Sequence, residues 1–375
     1  TAGAGTTLNL SGAAVMIGGV INGSGIVHAY SVSWSSVTNT NANVQVGDGN
    51  QLFLGGTVNN GGTISLAQGG HGGGVFIGGT VSLTGAGVIS MGGPGQNNNA
   101  IVANGAGAVL DNVSNTISGG GNIGGGSLAI INGAGGVIDA NSGAFPINLG
   151  GATLTNAGVV EAKSNGTLNV NVTTTNSGIM EALTGGTVNI NGPVTNTGTI
   201  ETVGGHVVIA SGLSGAGKLV VNGGVMEAAV AGVAMATTFA VGGGTLQLDA
   251  SQSFTGPIRG FSKTGATIFD LRDVGFSSAG EAVFVENGAG TSGTLTVTNG
   301  GQVAKLTLIG NYTGVTFTAS DDTHGGVQVV ASTPPGPAAS LVAAMAAMAA
   351  PGVGAASSVF AGASHPSLAF LTTRG

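Results

Sequence analysis

The chain contains no cysteine, which excludes disulfide staples and thiolate metal sites. Charged side chains make up 6 % of its 375 residues and aromatic side chains 4 %. Lys and Arg number only seven against 14 Asp and Glu, for a net charge of -7, and they are scattered. No basic stripe therefore exists to neutralise a phosphate backbone, and nucleic acid is excluded as a partner. No apolar run approaches the roughly 20 residues that a membrane-crossing helix needs, so no membrane span is expected in this chain. It opens Thr1-Ala-Gly, without a start Met or a charged-then-apolar leader, and is expected to be a processed or excerpted piece.

What is present is glycine, at 76 residues, and an apolar content of 42 %. A disordered chain would be charged and poor in aliphatics, whereas Val, Ile and Leu alternate regularly here. Glycine does not fall at every third position, which excludes collagen. Three segments instead superimpose on one another. Leu154-Thr-Asn-Ala-Gly-Val-Val-Glu-Ala162, Thr174-Thr-Asn-Ser-Gly-Ile-Met-Glu-Ala182 and Val194-Thr-Asn-Thr-Gly-Thr-Ile-Glu-Thr202 place Glu161, Glu181 and Glu201 at one constant interval. Beside them Gly166-Thr-Leu-Asn-Val170 recurs as Gly186-Thr-Val-Asn-Ile190 at the same interval. This reads as two strands and two turns repeating together, the mark of stacked coils. The fold class is all-β: a parallel β-helix, or β-solenoid, of about 20 residues per coil.

Aligned coils carry a column running through Gly136-Val-Ile-Asp-Ala140, Gly158-Val-Val-Glu-Ala162, Gly178-Ile-Met-Glu-Ala182, Gly198-Thr-Ile-Glu-Thr202 and Gly224-Val-Met-Glu-Ala228. Alternation sends Ile138, Val160, Met180, Ile200 and Met226 inward, and Asp139 and the glutamates outward. The second track supplies the stacks Ile147/Leu168/Val188/Val207 and Leu149/Val170/Ile190/Ile209, with Asn148, Asn169 and Asn189 facing the other way. Asn156, Asn176 and Asn196 stand just before Gly158, Gly178 and Gly198, where the chain must turn and positive φ is expected. These asparagines form the expected structural turn ladder, with amides bonding from coil to coil.

Residues 1–251 are assigned to the solenoid. Its Ile21-Asn-Gly-Ser-Gly-Ile26, Leu83-Thr-Gly-Ala-Gly-Val88 and Leu213-Ser-Gly-Ala-Gly-Lys-Leu219 turns resemble the repeats of autotransporter passenger domains. The stretch 110–230 resembles β-strand-repeat proteins exported to bacterial surfaces as adhesins, and the likeness covers about two thirds of the chain. From 252 the composition shifts, and strands are expected at about 281–286, 293–298, 302–308, 314–319 and 326–331, with Asn287-Gly288 and Asn299-Gly-Gly301 as hairpin turns. Residues 252–331 read as a small antiparallel cap covering the last coil. Residues 332–375 are a Pro/Ala-rich tail, which the resemblance makes a candidate export signal.

Coils stacked about 4.8 Å apart place Glu161, Glu181 and Glu201 in line, where adjacent carboxylates repel by about 1 kcal/mol even in water. Splaying into solvent, with Lys163 and Lys218 nearby, relieves this; the alternative is Ca²⁺ held by oxygens in a row, which would raise the melting temperature on adding Ca²⁺. The five His residues do not pair at metal-ligand spacing. Asp321-Asp322 with Gly325-Gly326 reads as a polar turn. Neither a catalytic residue nor a cofactor-binding residue is assigned, and the chain is read as a non-enzyme. The alternative is a β-helix polysaccharide lyase or hydrolase, for which the coils at 130–230 hold acids but no Arg. Its site would lie in the first 130 residues, where His28, Tyr30 and Trp34 form an aromatic group able to stack on a sugar, although capping of the first coils is the favoured reading of that group.

The reading is thus an exported structural and adhesive repeat protein of a bacterial surface, outer-membrane or extracellular. Its expected partners are polysaccharide, extracellular matrix, an abiotic surface or like chains.

Overall fold

Aliphatic residues at every second position, broken by glycine and asparagine corners, wind the chain into a parallel β-solenoid of about 13 turns. The computed structural model describes residues 3–66, 70–92 and 98–333. Among these residues there is no α-helix, and one 3₁₀ turn at Ser251–Ser253 is the sole helical element.

Each regular coil carries three strands, where the sequence reading has two. In one coil they are Thr153–Asn156, Val159–Ala162 and Thr167–Val170; in the next, Thr174–Asn176, Ile179–Leu183 and Thr187–Ile190. The Thr-Asn run that looks like a turn is itself a short strand, pairing Thr155↔Thr175↔Thr195 with its neighbours. The coil is therefore three-sided. We call the face of Thr153–Asn156 the first, that of Val159–Ala162 the second and that of Thr167–Val170 the third. In earlier coils Gln51–Asn60 and Gly74–Thr84 run unbroken from third face to first. They bend at Gly56 (φ 62°) and Gly79 (φ 63°), a conformation that glycine adopts without strain.

Inside, Ile138, Val160, Met180, Ile200 and Leu219 stack in register and are fully buried. Ile147/Leu168/Val188/Val207 and Leu149/Val170/Ile190/Ile209 form the third-face stacks. Each such side chain contributes about 1.5–3 kcal/mol, which lets the column hold without aromatics. Met226 departs from the expected column. It stacks on Val207 of the third face, because Lys218–Asn222 takes the second-face position in that coil.

The corner asparagines form a buried ladder. Asn132 Nδ2 donates to Asn156 Oδ1 (2.8 Å), Asn156 to Asn176 (2.7 Å) and Asn176 to Asn196 (2.7 Å), all with no solvent exposure. Each also reaches a second-face carbonyl of the next coil, as Asn156 does with Ile179 O at 3.0 Å. The glycines that follow are needed for a reason other than positive φ, which Gly158, Gly178 and Gly198 do not adopt. A Cβ on Gly178 would lie 2.2 Å from Gly158 O, and one on Gly198 2.1 Å from Gly178 O. Close approach of coil to coil excludes any side chain there.

Parallel pairing passes through residue 251 and continues to Ile258–Arg259 and Thr267–Leu271. Gln302–Ile309 adds to the second-face sheet parallel to Ile258–Arg259, and antiparallel strands then close the end: Ser292–Asn299 and Ala282–Glu286 continue that sheet, and Thr316–Asp321 pairs with Val327–Ser332, which lies antiparallel on Thr267–Leu271. Aromatic rings seal the last coil. Phe261 stacks on Phe269 with centroids 4.1 Å apart, Phe317 stacks beside Phe261 and Phe284, and Tyr312 Oη donates to Phe261 O. Arg272 Nη1 lies 3.3 Å from Oδ2 of buried Asp322. Oδ1 of the same carboxylate accepts the backbone N–H groups of His324 and Gly326, both at 2.7 Å. Asp321 and Asp322 thus build the turn after Thr316–Asp321. Thr1–Thr333 form one compact unit, and the tail from Pro334 lies outside the described residues.

Candidate functional site

The outer surfaces of the coils are where chemistry is available, since the interior is filled. On the second face Asp139, Glu161, Glu181 and Glu201 are in register on four adjacent strands, and the row stops where Val220 pairs with Glu201. Lys163 closes one end of this row. Its Nζ stands 2.6 Å from Glu161 Oε1 and 3.0 Å from Asp139 Oδ2.

Burial raises Asp139 above the ordinary aspartate value even though Lys163 works against it, because its side chain is only 5 % exposed. The Glu161 hydrogen bond, opposed by partial burial, raises Lys163. Glu181 is raised by burial first and then by Glu161 and Glu201 on either side. Neither Glu181 nor Glu201 has an ion-pair partner among the described residues. Among those residues no three His, Asp or Glu side chains converge where a metal ion could be held. Glu161, Glu181 and Glu201 are in line but do not form a cage.

Two other residues of the acidic reading stand elsewhere. Glu227 is on the third face, with Oε2 3.0 Å from His206 Nε2. Lys218 pairs in register with Thr199, two positions before Val220, and forms no ion pair among the described residues.

Polar ladders run along the remaining faces. On the third, Asn189 Nδ2 donates to Asn169 and Asn169 to Asn148, each at 2.8 Å, and Asn148 to Asn122 at 3.1 Å. At the following corner Asn191 donates to Asn171 at 2.8 Å. On the first face Thr155, Thr175 and Thr195 are in register and exposed. These side chains repeat at the coil spacing, about 4.8 Å, and present fixed donors and acceptors to solvent.

The aromatic group splits. Trp34 is buried in the core with 1 % exposure, so it cannot meet a ligand. His28 and Tyr30 remain on the surface with ring centroids 5.8 Å apart. An aromatic pair that sequence reading overlooked, Phe53 and Phe76, faces outward on the third face. The two are in register with centroids 5.1 Å apart. The signal was present, because Leu52-Phe-Leu-Gly-Gly-Thr-Val58 recurs one coil later as Val75-Phe-Ile-Gly-Gly-Thr-Val81 and alternation points both rings out.

No protein-family model matches the chain, and no curated protein matches it.

Proposed function

We propose that this chain is an exported bacterial surface or extracellular protein of structural and adhesive role, a stiff rod making many weak contacts with polysaccharide, matrix or like chains. The observation that carries this is the set of in-register Asn and Thr ladders on the outer faces, of which Asn122–Asn148–Asn169–Asn189 is the clearest. Interstrand hydrogen bonds hold each amide, so little side-chain entropy is lost when a ligand adds to the row. Identical contacts repeated along a rod act together, and many weak contacts summed on one scaffold give useful avidity. A hydroxyl-rich polymer offers the matching repeated donors and acceptors. The bacterial surface location rests on the resemblance of the Gly-x-Gly turns to exported repeat proteins.

Incubation with immobilised neutral and acidic polysaccharides, recording retained protein and newly released chain ends together, tests the reading. Retention without new ends is the expected result. New ends would replace it with a carbohydrate-cleaving enzyme, and absence of both signals would leave contact between like chains, visible as concentration-dependent association in sedimentation.

A further inference from the structure

We propose that Phe53 and Phe76 form the platform of a discrete site for one pyranose ring of a neutral glycan. The proposal rests on the glycan reading above and adds a localised site to it. On the third face the outward column that holds the rings runs Ser33, Phe53, Phe76 and Val102, and the neighbouring column runs Gln51, Gly74 and Ala100 into the asparagine ladder that starts at Asn122. Two rings thus stand side by side next to the column that becomes the amide ladder, with Val102 extending their apolar strip by one coil. Neither is needed to fill the core, since Leu52, Leu54, Val75 and Ile77 already occupy the inward positions of the same strands. The Phe76 ring covers Gly74, where a Cβ would come within 2.6 Å of it, so the backbone is kept low beneath the platform.

Phe76 borders a cavity of about 190 Å³, whose rim includes Asn50, Gln51, His71 and Asn98. That volume is below the roughly 300 Å³ at which drug-sized pockets begin and suits a single six-membered sugar ring. A sugar offers one apolar C–H face to an aromatic ring and hydroxyls around its edge. The rim supplies partners for that edge. Gln51 has a side-chain amide with no hydrogen-bond partner among the described residues. Asn98 and Asn50 are held in place, donating to Gly70 O and Asp48 O, both at 3.1 Å. Asp48 accepts from the His71 backbone N–H at 2.9 Å and faces His71 Nδ1 at 3.4 Å, which shapes the wall formed by residues 71–74. The lining is therefore amides, glycine backbone, the His71 ring that Asp48 holds from outside, and the apolar Phe76, Ala100 and Val102. Such a surface has no excess cation to select an acidic sugar.

The turn Gly47–Asn50 has a second groove on its other side, lined by His28, Tyr30, Gln45 and Ser65. The Tyr30 ring passes near Gly47. The two grooves adjoin the same turn, Gly49 and Asn50 lining one and Gly47 the other, so a hexamer is the probe chosen for the site.

Cellohexaose and maltohexaose, titrated separately into the full chain by calorimetry, test the site. Binding of at least one hexamer is expected, with contact to ¹³C-labelled Phe rings in saturation-transfer NMR. The double variant Phe53→Leu/Phe76→Leu keeps the apolar volume and removes the ring faces. It should melt like the parent and bind about tenfold more weakly. Equal binding by parent and double variant overturns the platform, and so does absence of binding to both hexamers. In either case retention of the parent on immobilised polysaccharide keeps the broader glycan reading alive, and loss of that retention as well brings down both.

Discussion

Asn156 donates its side-chain amide to Asn176 Oδ1 at 2.7 Å, and neither side chain is reached by solvent. The bond lies in a row in which every amide is both donor and acceptor, so one missing member leaves two neighbours short. Asn176→Ala removes the acceptor of Asn156 and the donor to Asn196. Each orphaned buried group costs about 1–3 kcal/mol. A loss of about 2–4 kcal/mol is expected in thermal or urea unfolding, and a change under about 0.5 kcal/mol would show the ladder to be dispensable.

Glycines at two different corners of the solenoid should behave oppositely. A Cβ at Gly178 meets Gly158 O at 2.2 Å, whereas one at Gly150 meets nothing within 4 Å. Gly178→Ala should lower the melting temperature sharply by forcing two coils apart. Gly150→Ala should leave it unchanged or raise it slightly, since alanine restricts the unfolded chain. Equal effects from the two would contradict the close-approach explanation.

Lys163 neutralises the most buried part of the acidic row. Removing one partner of a buried pair costs about 3–5 kcal/mol. Lys163 is 38 % exposed, so Lys163→Met should cost less, about 1–3 kcal/mol. Adding Asp139→Asn and Glu161→Gln to that variant should restore much of the loss. Failure of this rescue would mean the lysine acts through its aliphatic stem alone.

The acidic row also sets a pH response. Glu181 has its folded value raised by burial and by Glu161 and Glu201, so it favours the folded state when protonated and opposes it when ionised. Its contribution is fully present below 4.5, the ordinary glutamate value, and is lost as pH rises through the elevated folded value. Glu181→Gln should therefore raise the melting temperature at pH 7, with the gain shrinking toward pH 4. A gain that is constant over this range would assign it to packing.

The C-terminal end depends on its rings. Phe261 is 3 % exposed and stacks 4.1 Å from Phe269. Phe261→Ala should cost about 3–5 kcal/mol and uncover the last parallel rung, whose open edge pairs with other chains. Light scattering should then report association that the parent does not show. A monodisperse, destabilised variant would limit the rings to packing.

Much of this architecture was legible in the residues themselves. Strict alternation identified the inward stacks Ile147/Leu168/Val188 and Ile138/Val160/Met180, because side chains in a strand change face at every step whatever lies beyond it. Turn residues at Asn287-Gly288 and Asn299-Gly-Gly301 placed the closing hairpins close to where the strands in fact begin and end. The coil period, parallel stacking and cap strands are local or strictly repeating properties, and one sequence suffices for them. Which residues lie above one another is a different matter, because it depends on how much chain each corner absorbs. Between Glu201 and Glu227 the coil path shifts an apparently equivalent Val-Met-Glu-Ala strand onto the third face beside His206. Only the folded chain decides such neighbours. It alone hides Trp34 in the core, makes glycine obligatory at Gly178 by placing Gly158 O against it, and sets Phe53 beside Phe76 on one wall. Contacts between coils join residues a full turn apart along the chain, as Glu161 meets Glu181, and their spacing is fixed by packing across the stack.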